Sequence, residues 1–146
     1  MNERQREQVR RIAAHDVDLI QRTLNDRIQT IYADHSAKGR LHSGATITVS
    51  VRSMEELAVE FLADLAAKLA AVAPDRETFT ELAGAVARCI ELCADQMPDV
   101  IRMANGRVVG PRSESIQQAA DDLFNQMRRD VEAKLGGVDK GDSQQR

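Results

Sequence analysis

Two long amphipathic segments of this chain are separated by nine residues, Lys38-Gly39-Arg40-Leu41-His42-Ser43-Gly44-Ala45-Thr46. This stretch holds two glycines, two cationic side chains, a histidine and two hydroxyl groups. Glycine readily adopts the backbone conformations that end a helix, and a lysine is favourable near the negative end of the helix dipole. We therefore expect one helix to end where the stretch begins and another to start within it.

The segment before this stretch predicts one long helix over residues 2–37. Its apolar residues recur at intervals of three or four, the spacing of a single helical stripe. They are Val9, Ile12, Leu19, Ile20, Leu24, Ile28, Ile31 and Tyr32. The first eight residues are almost wholly polar, so we expect that end to fray or to project beyond the core.

The segment after the stretch predicts a second helix over residues 45–72. Its apolar stripe consists of Ile47, Val51, Met54, Leu57, Ala58, Phe61, Leu62, Leu65, Leu69 and Val72. The β-branched residues within 46–51 are, taken alone, typical of a strand. A lone strand leaves its backbone groups without partners, so we interpret this part as helix too.

Two further helices are predicted over residues 75–105 and 113–136. Pro74 and Asp75 suit the start of the third helix, and Ser113 suits the N-cap of the fourth. Pro98 removes one backbone donor, and the sequence leaves open whether it kinks or ends the third helix. Gly136 and Gly137 are expected to end the fourth helix, followed by a polar, disordered tail over 137–146.

Four helices with short connections predict an all-α fold, an antiparallel helical bundle in a single domain over residues 1–136. The 146 residues are 42% apolar, enough for a sizeable core. The length and polar start of the first helix favour a homodimer in which that helix pairs with its copy.

Composition argues against several classes of function. Aromatic residues are only 3% of the chain, the net charge is −3 and the pI is about 5.6. These values argue against binding of nucleic acid. The longest apolar run is interrupted by Asp64 and Lys68, and the start lacks a signal sequence, so we expect a cytoplasmic protein with no membrane span.

A candidate ligand site follows from the alternating helix directions. The loops over 38–46 and 105–113 would then lie at one end of the bundle, together with two helix N-termini. This arrangement suits an anion, a phosphate or a nucleotide. The candidate residues are Arg40, His42, Ser43, Thr46, Arg107, Arg112 and Ser113. Alternatively, these residues only turn the chain and cap helices, with the arginines solvated.

Acidic rows raise the possibility of a metal-dependent hydrolase. Glu56, Glu60 and Asp64 follow one another at intervals of four, as do Glu91 and Asp95. Facing carboxylates can bind Mg²⁺ or Mn²⁺. However, these residues lie at the edge of the apolar stripe or outside it, which favours a solvated acidic face. We assign no catalytic residue, metal ligand or cofactor.

Cys89 and Cys93 lie one helical turn apart, and we expect both to be core residues. The sequence as a whole therefore predicts a non-enzymatic helical bundle that acts through protein–protein interaction or homo-oligomerisation. The alternative is a small-ligand binder that uses the two loops, and a hydrolase is a more distant alternative.

Overall fold

The computed structural model describes residues 1–106 and 110–144, with side chains as far as residue 138. It contains four helices, α1 (Glu3–Ala37), α2 (Gly44–Val72), α3 (Arg76–Asn105) and α4 (Pro111–Gln144). The described residues form no strand. The predicted all-α fold is therefore confirmed, and residues 46–51 are helical.

The polar start of α1 is held against the bundle. Asn2 caps the helix, since its Oδ1 accepts a hydrogen bond from the Gln5 amide at 2.8 Å. The side chain of Gln5 donates to the Val72 carbonyl oxygen at 3.3 Å, and Arg6 forms an ion pair with Glu77 at 2.9 Å. The hydrogen bond and charge of Arg6 lower the pKa of Glu77. The expectation that this end frays or projects is therefore wrong.

Side-chain pairs fix the direction and level of α1 against α2. In the first half of α1, Asp16 lies level with Lys68, their charged atoms 3.0 Å apart. Nearer its end, Arg27 donates to Ser53 at 3.3 Å. Residue numbers rise along α1 while they fall along α2, so the two helices run in opposite directions.

The packing differs from a square bundle, in which the first and last helices are neighbours. Here α2 and α3 pack against each other at the centre, α1 contacts both, and α4 contacts both. No contact joins α1 to α4 within the described residues. The buried side of α2 explains this arrangement, because Met54, Leu65 and Leu69 are fully buried and its buried residues are numerous enough to meet three neighbours.

Three helix boundaries were left open or misplaced by the sequence. Pro98 does not end α3, which continues to Asn105. Helix α4 begins at Pro111, so Ser113 lies within its first turn and not at the N-cap. The helix also continues through Gly136 and Gly137 to Gln144. Val138, which packs partly buried against the core, extends the apolar stripe past the two glycines.

One like-charge contact lies between α2 and α4. Glu55 is half-buried and faces Asp130. Burial, together with the hydrogen bond and charge of Asp130, raises the pKa of Glu55 above 4.5. Folding therefore favours protonated Glu55, whose contribution to stability is present below the unfolded pKa and is lost as the pH rises through the folded pKa.

The substitution Glu55→Gln is therefore expected to raise the thermal unfolding midpoint at pH 7. The gain should shrink as the pH falls below about 4, where Glu55 is protonated in both folded and unfolded chains. Thermal unfolding followed by circular dichroism at the two pH values measures this. Glu132→Gln, on the exposed side of α4, is the control. An equal gain in both variants would contradict the assigned contact.

Candidate functional site

The two polar loops lie at the same end of the molecule, as far as the structure describes them. The Nδ1–H group of His42 donates to the Met103 carbonyl oxygen at 2.7 Å. The side-chain amide of Asn105 donates to Ser113 Oγ at 2.8 Å. Gly106 has φ of +58°, and a Cβ there would lie 2.9 Å from the His42 ring. The histidine therefore fits against a position that requires glycine.

The hydroxyl groups predicted for the ligand site are hydrogen-bonded within the protein. Thr46 is fully buried, donates to the Leu41 carbonyl oxygen at 2.8 Å and lies 2.9 Å from Nδ1 of buried His35. Because that hydroxyl has only one proton, it accepts the bond from His35. Ser43 Oγ donates to the Arg40 carbonyl oxygen at 2.5 Å. These bonds shape the loop.

At this end of the molecule, two cationic side chains remain available to bind an anion. Arg40 and Arg112 are exposed, and neither side chain has an ion pair or hydrogen bond to another described residue. The predicted position Arg107 lies outside the described residues. Anion binding here stays a prediction. His35 was not among the predicted residues, although it continues the buried stripe that contains Ile28 and Ile31.

The acidic rows do not come together in the part of the chain that the structure describes. Within it, no three His, Cys, Asp or Glu side chains are placed to hold a metal ion. Glu56 and Glu60 are exposed, and Asp64 forms an ion pair with Lys68 at 3.0 Å. The acidic row on α2 therefore faces solvent.

The two cysteines lie in the core, as predicted. Cys89 and Cys93 are 2% and 1% exposed, and both are free thiols. The hydrogen bond with Cys89, together with burial, raises the pKa of Cys93. A buried thiol held in its neutral form is a poor nucleophile.

A groove of about 660 Å³ lies between α1 and α2. Its lining is largely apolar and includes four charged residues, Asp16, Glu60, Asp64 and Lys68. The lining residues are Asp16, Leu19, Ile20, Thr23, Leu57, Glu60, Phe61, Ala63, Asp64, Ala67 and Lys68. The sequence suggested Glu60 and Asp64 only as members of an acidic row, and it placed none of the other lining residues in a binding site.

Leu19 stands out within the groove because it is 51% exposed. The sequence placed it in the core stripe together with Ile20, and this is wrong for Leu19. Successive side chains on a helix point about 100° apart, so Leu19 and Ile20 face different directions. Ile20 packs partly buried against the core, and Leu19 is left on the wall of the groove.

One end of the groove is held by an ion-pair network. Asp16 is 7% exposed, and Lys68 Nζ lies 3.0 Å from both Asp16 and Asp64. Both carboxylates raise the pKa of Lys68, and the hydrogen bond to Asp64 has the largest effect. A buried carboxylate needs such a partner, so the network fixes α1 against α2 beside the apolar lining.

None of the helices in the described ranges is long and apolar enough to cross a membrane. No family model matches this chain, and no curated protein or solved structure is significantly similar to it. The groove and the charges around it are therefore the features of this chain that bear on its function.

Proposed function

We propose that this protein is a self-associating helical module. The outer surface of α1 and α2 around the groove, here called the α1–α2 face, binds the same face of a second copy. The observation that carries the proposal is the half-exposed Leu19 beside an apolar groove. Fully burying a leucine side chain contributes about 1.5–3 kcal/mol, so covering Leu19 recovers roughly half of that in each copy.

A second exposed apolar side chain belongs to the same face. Val49 is 37% exposed, and on α2 it is followed at intervals of 7, 14 and 18 residues by Glu56, Ala63 and Ala67. Such intervals place residues on one side of a helix. Two of the three large apolar residues that are exposed in the described chain, Leu19 and Val49, therefore lie on the α1–α2 face.

A second copy of the chain is the best occupant of the groove, because the α1–α2 face is complementary to itself. Leu19 protrudes from α1, while Ala63 and Ala67 are exposed small residues on α2 that leave room for a larger side chain. Both features lie at nearly the same level, as the Asp16–Lys68 pair next to them shows. A symmetric dimer uses one such patch twice, with the protruding residue of each copy meeting the small residues of the other.

Sedimentation equilibrium tests the proposal. The protein is expected to approach twice its chain mass of 16.2 kDa as its concentration rises. A single-chain mass at every concentration up to the solubility limit would overturn self-association.

A further inference from the structure

Arg22 and Glu60 are unpaired charges of opposite sign on the α1–α2 face. Arg22 is exposed and follows Leu19 by three residues on α1, and Glu60 is exposed on α2 and lines the groove. Neither side chain forms an ion pair or hydrogen bond with another described residue. Their neighbours Asp16, Asp64 and Lys68 are already paired with one another.

Arg22 and Glu60 lie at the same level of the bundle. Asp16 is level with Lys68, and Arg27 is level with Ser53. Arg22 lies between the two positions on α1, and Glu60 lies in the middle of the corresponding interval on α2. A symmetry operation that preserves level and exchanges the helices would bring the two charges together.

A two-fold axis parallel to the helices is such an operation. It sets α1 of one copy against α2 of the partner, antiparallel and without a shift along the axis. We infer that the two copies associate in this way, with Arg22 paired to Glu60 of the partner subunit and Leu19 packed against the partner's Ala63 and Ala67. This inference rests on the proposed self-association and specifies its geometry.

A two-fold arrangement with its axis perpendicular to the helices is disfavoured by charge. An axis perpendicular to the helices sets α2 against α2, so the row Glu56, Glu60 and Asp64 would meet its own copy. Like charges brought together at an interface oppose association. When the axis is parallel to the helices, Asp26 still approaches the partner's Glu56, which has the same charge. Exposed Arg52, one helical turn from Glu56, offsets this repulsion.

Charge reversal tests this geometry. Arg22→Glu and Glu60→Arg should each weaken the dimer by about tenfold or more, because each places two like charges together twice. The double variant Arg22→Glu/Glu60→Arg should recover a dissociation constant within about threefold of the original chain. Arg128→Glu, a reversal of an exposed charge on α4, should leave that constant unchanged.

The outcomes separate this inference from the proposed function. If the unmodified chain dimerises but neither single reversal weakens the dimer, the geometry is wrong and self-association stands. If both single reversals weaken the dimer and the double variant is no better, the two residues are at the interface without facing each other, which also overturns the inference. A monomeric unmodified chain would overturn both proposals.

Discussion

Replacing Leu65 with alanine is expected to lower the free energy of unfolding by about 2–5 kcal/mol. Leu65 is 0% exposed and belongs to α2, one of the two central helices that pack against all the others. The substitution removes apolar contacts and leaves a cavity that the packed helices fill only in part. For a chain of this size the midpoint of thermal unfolding should fall by roughly 10 °C.

Leu123→Ala is the matched control for this prediction. Leu123 is 39% exposed on α4, so the same chemical change removes much less buried surface and should cost about 1 kcal/mol or less. Denaturant-induced unfolding at fixed protein concentration compares the two variants. Equal losses would mean that α2 is not at the centre of the core.

The substitution Leu19→Glu is expected to convert the dimer to a monomer. In the proposed dimer each Leu19 packs against small residues of the partner, and a carboxylate buried there without a partner costs several kcal/mol. The change occurs twice in a symmetric interface, so the dissociation constant should rise by at least about a hundredfold. Folding of the single chain should be preserved, because Leu19 is 51% exposed.

Leu123→Glu makes the same change at the exposed leucine of α4 and should leave the dimer intact. Sedimentation velocity at one matched concentration distinguishes the two variants, and circular dichroism confirms that both are helical. If Leu19→Glu still sediments as a dimer, the copies associate through another surface. Dissociation of both variants alike would show that a general effect of added charge, and not the groove, controls assembly.

The helices could be predicted from the sequence because local signals agree with one another. Apolar residues at intervals of three and four, the capping residue Asp75 and the terminating Gly106 mark the elements, and all four helices are present. The end of α4 was misplaced because Gly136 and Gly137 are ordinary stop signals. A tertiary contact, the packing of Val138 on the core, outweighs that local signal.

The groove could not be predicted, because it depends on how two helices are placed relative to each other. The stripe on α1 identifies Leu19 as apolar but does not show that Ile20 packs against the core in its place. The polar loops could be located from the sequence, but the hydrogen bonds of their side chains could not. Their side chains are conspicuous in the sequence, yet only the folded chain shows Thr46 bonded to Leu41 and Ser43 to Arg40.

In the proposed dimer, two copies meet through the outer face of α1 and α2. Nuclear magnetic resonance of the ¹⁵N-labelled, unmodified protein over a dilution series tests it most directly, because each backbone amide reports on its own surroundings. We expect concentration-dependent shifts to cluster at Leu19, Arg22, Glu60, Ala63 and Ala67, with α4 unaffected. Shifts confined to α3 and α4, or spectra independent of concentration, would contradict this interface.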